Sequence, residues 1–188
     1  MEKKVDLRIQ KTHKALIRSL QELLCEKNFD EITVTELCER AETRKATFYK
    51  HFGDKSDLFI YMVQELQNEY EKQNARDYQS ENLQAYYSGI FRYTLDFLEQ
   101  HEQMVLMILQ SNSKWHLIDL ISQQAEYDLR IHLKEDVKKG ILKSSSEFIA
   151  SIFTGALVQA AYWWILNQKR LSKEEAITQF TDLVMKMY

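Results

Sequence analysis

The chain has 188 residues, enough for one large or two small domains with a proper core, and its 45% hydrophobic and 28% charged content is typical of a soluble globular protein and not of a chain disordered throughout. It contains no proline and only four glycines, which disfavours sheets with tight turns and favours long helices. The net charge of -3 is unevenly spread, since residues 1–52 carry 11 Lys and Arg against 9 Asp and Glu, whereas residues 53–188 carry 14 against 19.

The first predicted helix runs from about residue 6 to residue 26 and is amphipathic. Leu16, Leu20 and Leu23 fall on one face at helical spacing. Basic side chains occupy the opposite face. This pattern is expected for a helix face exposed to solvent and also for a surface that binds a polyanion. The first twenty residues contain no apolar signal core, so we predict a cytoplasmic protein.

Two short helices are predicted next. A capping box formed by Thr33 and Glu36 indicates the start of the first one. After a tight connection, the second is predicted over residues 44–52, with Gly53 ending it in a left-handed conformation. Two short helices set against a longer first helix are typical of a helix-turn-helix unit, in which the second short helix enters the DNA major groove.

The rest of the chain also has helical periodicity. Asp54 is predicted to begin a long helix that fades out near residues 73–81. No segment shows the period-two alternation of a strand. We therefore predict an all-α fold of about nine helices, the later ones near residues 82–99, 101–111, 114–139, 144–168 and 172–187. The predicted domains are a DNA-binding domain (1–53), a connecting helix and loop (54–80) and a helical C-terminal domain (81–188).

The second short helix has an inner and an outer side. Phe48 and Phe52 share the inner side, where we expect them to hold the helix against its neighbours. On the outer side, Thr47 suits a base edge or a thymine methyl, and Lys50 suits guanine acceptors or a phosphate. Phosphate oxygens suit other polar groups on its flanks or at nearby helix N-termini, which are Thr33, Lys45, Tyr49, His51 and Lys55.

The segments "ITVTELCERA" and "TFYKHFGDKSDLF" closely resemble the N-terminal domain of the TetR family of bacterial transcription regulators, over about residues 7–60. The resemblance implies a helix-turn-helix DNA-binding domain and a palindromic DNA operator. It also implies that residues 81–188 form a regulatory and dimerisation domain, with a homodimer built on the last two long helices. It assigns DNA contacts to Thr33, Lys45, Thr47, Tyr49, Lys50, His51 and Lys55, and in some members to Arg44. Glu42 stands where many relatives have glycine in the turn.

The segment from Phe148 to Leu166 carries no charge over 19 residues, which is long enough for a transmembrane helix. Ser151, Thr154 and Gln159 interrupt it, and a serine-rich helix start precedes it. These features favour a helix buried on one side by its own domain and on the other by a partner subunit.

The leading functional hypothesis is a TetR-type repressor that binds double-stranded DNA as a homodimer and is released by an unidentified small-molecule effector. The alternative is a TetR-like adaptor or co-activator whose C-terminal domain binds a protein. An enzyme is disfavoured because no nucleophile–base pair, carboxylate pair or metal-ligand spacing is visible. We therefore predict no catalytic residue, no metal and no cofactor, and no residue specifies the effector.

Overall fold

The computed structural model describes residues 7–74, 83–138, 145–167 and 170–186. Within these ranges the chain forms nine α-helices and a short 3₁₀ turn at Phe29–Glu31, without a strand, which confirms the predicted all-α class. The helices are α1 (Leu7–Glu26), α2 (Val34–Arg40), α3 (Lys45–Phe48), α4 (Lys55–Asn74), α5 (Leu83–Gln100), α6 (Glu102–Gln110), α7 (Lys114–Lys138), α8 (Ser146–Asn167) and α9 (Lys173–Met185).

Two compact units divide the chain. Unit 1 contains Met1–Tyr70 together with Glu102–Leu117, and unit 2 contains Glu71–His101 together with Ile118–Tyr188. Helix α6 and the first residues of α7 therefore belong with the N-terminal helices, although they lie far along the chain. The functional division at residues 53 and 80 stays a prediction, because compact units are defined by contacts and functional domains by activity.

The core of unit 1 forms around the apolar face of α1. Leu16, Leu20 and Leu24 of this helix are fully buried. Burying a large apolar side chain contributes about 1.5–3 kcal/mol each, so α1 holds the unit together. The other helices of the unit add the buried side chains Leu37, Phe48, Leu58, Phe59, Met62, Met104 and Ile108.

Helix α3 is shorter than predicted. A helix was expected over residues 44–52, but regular α-helix covers only Lys45–Phe48. Beyond it the chain continues in tight turns, in which the amide of Lys50 donates to the carbonyl of Thr47 (3.2 Å) and that of His51 to Phe48 (2.9 Å). The physical reason is that these hydrogen bonds span three residues, as in a 3₁₀-helix, instead of the four residues of an α-helix. They tighten the chain before α4 begins at Lys55.

In unit 2, helix α5 packs against α8 and α9. The rings of Phe91 and Phe180 stack with centroids 4.2 Å apart. Near the start of α9, the guanidinium of Arg92 on α5 donates two hydrogen bonds to the carboxylate of Glu174 (2.5 and 2.7 Å). Apolar stacking and a bidentate ion pair together fix α9 on α5.

Helix α8 is buried on one side and exposed on the other. Phe153, Leu157 and Trp164 lie in the core of unit 2. The opposite side carries an exposed apolar row, the α8 stripe, which consists of Phe148, Ile152, Trp163 and Leu166. Among the described helices, α8 is the one long and apolar enough to cross a membrane, a criterion that the core helix of a soluble protein also meets.

Candidate nucleic-acid interface

Helix α2 begins with the predicted capping box. The hydroxyl of Thr33 accepts a hydrogen bond from the amide of Glu36 (3.2 Å), and the Glu36 carboxylate accepts from the Thr33 amide (3.0 Å). Hydrogen bonds from Lys27 and then from Thr33 lower the pKa of Glu36 to about 2. The capping box is confirmed, and it leaves Thr33 exposed at the N-terminus of the helix.

The turn between α2 and α3 is a Schellman motif. The Thr43 amide donates to the Cys38 carbonyl (2.9 Å), and the Glu42 amide donates to the Glu39 carbonyl (3.2 Å). Glu42 has a φ of 49°, the left-handed conformation that favours glycine. An acidic side chain therefore occupies the strained position of the turn that sets the direction of α3.

Replacing Glu42 with glycine is expected to raise the free energy of unfolding by about 0.5–1 kcal/mol. Relief of the left-handed strain, about 1–2 kcal/mol, exceeds the entropy that glycine adds to the unfolded chain. Urea denaturation of both proteins measures the difference. The matched control is Glu39→Gly in the helical part of α2, which should lower stability by about 1 kcal/mol. Equal losses in the two variants would contradict the strain at Glu42.

Two phenylalanines anchor α3, as predicted. Phe48 is fully buried, and the ring centroids of Phe48 and Phe52 lie 5.6 Å apart. The Phe52 ring also lies 5.5 Å from that of Tyr61 on α4 and 5.2 Å from that of His13 on α1. The recognition segment, defined as residues 44–52, is therefore held by aromatic contacts to α1 and α4.

The opposite side of this segment faces outward and forms the reading face, defined as Arg44, Lys45, Ala46, Thr47, Tyr49, Lys50 and His51. Five of these side chains are exposed, and Thr47 and His51 are half-buried. The segment contains three Arg and Lys residues and no carboxylate. Small Ala46 lets the backbone approach a partner closely, while the cations around it favour a polyanion.

His51 is held in place by a histidine that the sequence analysis did not single out. The rings of His13 and His51 meet edge-on with centroids 4.7 Å apart, and His13 Nδ1 shares a hydrogen bond with the Tyr61 hydroxyl (3.1 Å). Burial, followed by the charge of His51, lowers the pKa of His13. An amphipathic pattern cannot reveal this pair, because His13 lies in α1 and His51 lies in the turn after α3.

Gly53 does not adopt the left-handed conformation predicted for it, since its φ lies outside that region. Its amide donates to Asp57 Oδ2 (2.8 Å), and a Cβ atom on Gly53 would lie 2.8 Å from the same oxygen. A side chain at this position would therefore displace the Asp57 carboxylate that accepts from the Gly53 amide. The predicted helix start at Asp54 is confirmed, because its carboxylate accepts hydrogen bonds from the amides of Ser56 (2.7 Å) and Asp57 (3.0 Å).

Lys55 points into unit 1. Its ammonium donates to three backbone carbonyls, those of Phe29 (2.7 Å), Asp30 (3.2 Å) and Ile32 (2.8 Å). The ammonium also lies 4.6 Å from the centroid of the Phe29 ring. Burial lowers the pKa of Lys55. The predicted phosphate contact of this residue stays a prediction.

Family comparisons agree with this geometry. The family model described as "Bacterial regulatory proteins, tetR family" matches residues 16–62. The model described as "Transcriptional regulator C-terminal region" matches residues 86–186, which is more than half of the chain. The chain belongs to the TetR family. This TetR-family protein is therefore a transcriptional regulator with an N-terminal helix-turn-helix.

Two relatives from Bacillus subtilis (strain 168) match part of this TetR-family protein. The uncharacterized HTH-type transcriptional regulator YdeS is 45% identical over 49 residues, and YxbF, described in the same words, is 34% identical over 64 residues. These matches span 26% and 34% of this chain but only 25% and 17% of the respective relatives. The chain therefore covers a quarter or less of the length of either relative.

Solved structures extend the likeness to nearly the whole chain. A TetR-family transcriptional regulator from Syntrophomonas wolfei aligns with a TM-score of 0.70 and 17% identity and covers 95% of both chains. The transcriptional regulator FadR from Bacillus subtilis, solved in complex with stearoyl-CoA, aligns with a TM-score of 0.64 and 16% identity, covering 91% of this chain and 96% of its own. At these identities the likeness shows the shared fold alone.

Proposed function

We propose that this TetR-family regulator is a cytoplasmic homodimeric repressor that binds a palindromic operator and is released by a small-molecule effector bound in unit 2. The observation that carries the proposal is the reading face, where exposed cations surround a small residue on a segment anchored by Phe48 and Phe52. A rigid support behind an exposed cationic surface is what major-groove binding requires.

The reading face divides into base-contacting and phosphate-contacting groups. Thr47 and Lys50 are proposed to meet base edges, because they flank exposed Ala46 and Tyr49 on the outward side. The remaining polar groups are proposed to bind phosphate and to fix the register of the protein on the duplex. These groups are Thr33, Arg44, Lys45, Tyr49 and His51.

The α8 stripe supports the proposed dimer. Phe148 and Leu166 at its ends are 62% and 53% exposed, a fraction that leaves large apolar surfaces in water unless a partner covers them. Gly155 lies between them on the same side, and a Cβ atom built on it meets nothing within 4 Å. A second copy related by a two-fold axis would pair the stripe with itself, together with exposed Leu183 of α9.

A buried polar atom in unit 2 supports the proposed effector site. The indole N–H of Trp164 is buried and has no hydrogen-bond acceptor in the described part of the chain. A ligand with an acceptor group would satisfy it. The structural neighbour FadR was solved with stearoyl-CoA, which makes a small organic effector the working model. Release of DNA then follows from a coupling free energy between the two sites.

Selection of genomic fragments by the purified protein tests the proposal. Enriched fragments should share a palindrome, and binding measured by fluorescence anisotropy should weaken steeply between about 50 and 200 mM salt. Absence of any enriched fragment, or equal affinity for all duplexes, would contradict the proposed operator. Binding that appears only with a partner protein would instead favour the adaptor hypothesis.

A further inference from the structure

The side chain of Lys55 connects the two ends of the segment that contains α2 and α3, residues 33–54. Lys55 is the first residue of α4, just after the segment, and Ile32 lies just before α2. The Lys55 ammonium donates to the Ile32 carbonyl (2.8 Å) and to the carbonyls of Phe29 and Asp30 in the 3₁₀ turn (2.7 and 3.2 Å). An ammonium has three N–H groups, so all of its donors are used inside unit 1.

Asp30 connects the same turn to a distant part of unit 1. Its carboxylate accepts hydrogen bonds from the Ser111 hydroxyl (3.0 Å), the Asn112 amide (2.6 Å) and the Ser113 hydroxyl. These hydrogen bonds, that of Ser113 first, lower the pKa of Asp30. The three donors form the loop between α6 and α7, where an anion is favoured by the positive end of the α7 dipole.

Three segments of unit 1 thus meet at one residue. The Asp30 carbonyl binds the start of α4 through Lys55, and the Asp30 carboxylate binds the α6–α7 loop. A further hydrogen bond, from the Gln103 side chain of α6 to the Cys25 carbonyl near the end of α1 (2.9 Å), holds α6 against α1. Helix α7 continues from this loop to Lys138, and its residues from Ile118 onward belong to unit 2.

We propose that Asp30, Lys55 and Ser111–Ser113 form a junction that positions α3 on the α6–α7 loop, and that Lys55 acts on DNA binding through this junction instead of through phosphate. Lys55 is then a positioning residue. The inference rests on the proposed DNA-binding function. It adds that hydrogen bonds at this junction connect the loop before α7 to the segment that carries the reading face.

The dependence of operator affinity on salt separates a positioning lysine from a phosphate-binding one. Lys55→Met should weaken binding to the selected operator about tenfold or more while leaving the slope of log affinity against log salt unchanged. The matched control Lys45→Met removes a proposed phosphate contact on the exposed reading face and should reduce that slope by about one unit per protomer. Lys55→Arg should fail to restore affinity, because a planar guanidinium cannot reproduce three carbonyl contacts, whereas a phosphate would accept either cation.

Hydrogen exchange tests the connection to the α6–α7 loop. Operator binding to the unmodified protein should slow exchange of the Asn112 amide, a response that a purely structural role would not produce. Ser111→Ala combined with Ser113→Ala should weaken operator binding and speed exchange in the 3₁₀ turn. The control Ser145→Ala removes a serine that caps α8 in unit 2 (3.2 Å to the Phe148 amide) and should do neither.

The outcomes distinguish the two proposals. A salt slope that falls equally in Lys55→Met and Lys45→Met, or exchange of the Asn112 amide that does not change on operator binding, would overturn the junction while leaving the repressor proposal intact. Failure of the unmodified protein to bind any selected duplex at low salt would overturn both. Variants are compared at a temperature at which circular dichroism shows each of them folded, so that global unfolding does not enter the affinities.

Discussion

Replacing Phe48 with alanine is expected to destabilise unit 1 by about 3–5 kcal/mol and to abolish operator binding. Phe48 is fully buried, and its ring packs on those of Tyr49 (5.3 Å) and Phe52 (5.6 Å) behind the reading face. Truncation removes the apolar contact and leaves a cavity that the short α3 cannot fill. Urea denaturation followed by hydrogen exchange of the α3 and α4 amides measures the loss in unit 1.

The neighbouring aromatic provides the matched control. Tyr49 is 58% exposed, so Tyr49→Ala should change the free energy of unfolding by less than about 0.5 kcal/mol. Loss of its proposed phosphate contact should nevertheless weaken operator binding about five- to tenfold per half-site. The two substitutions are thus expected to distinguish a side chain that stabilises the recognition segment, Phe48, from one that contacts DNA, Tyr49. A stable, DNA-binding Phe48→Ala protein would show that the segment is held by something else.

Replacing Gly155 with glutamate is expected to convert the proposed dimer into a monomer and to lower operator affinity by more than about 100-fold. The new carboxylate would be placed in the middle of the α8 stripe, between Ile152 and Trp163. Folding of the protomer should not suffer, because a Cβ at this position meets nothing within 4 Å and glycine is a weak helix former. The affinity falls because two linked reading faces bind one palindrome far more tightly than separate ones.

Sedimentation velocity and anisotropy of the selected operator measure both effects. Gly89 on α5 is the matched control, since a Cβ there also meets nothing within 4 Å but the position lies outside the stripe. Gly89→Glu should remain dimeric and bind the operator normally. If Gly155→Glu sediments as a dimer, the protomers associate through a different surface.

Features that depend on residues within one helical turn of each other were predictable from the sequence. The capping box of Thr33 and Glu36 and the helix start at Asp54 are both confirmed, as is the inward side of Phe48. In each case the partner lies three or four residues away, so spacing alone determines the geometry. The error at Gly53 has a similar origin, because a glycine after a helix suggests left-handed backbone without revealing the Asp57 side chain packed against it.

The sequence by itself determined the all-α class, the order of the helices and the outward side of the recognition segment. Only the tertiary structure decided which distant groups meet. Asp30 and Ser111 are 81 residues apart, and the partners of Lys55 are backbone carbonyls, which no pattern of side chains marks. The physical reason is that helix periodicity and caps arise from local backbone geometry, whereas the destination of a long polar side chain depends on which segments the apolar core brings together.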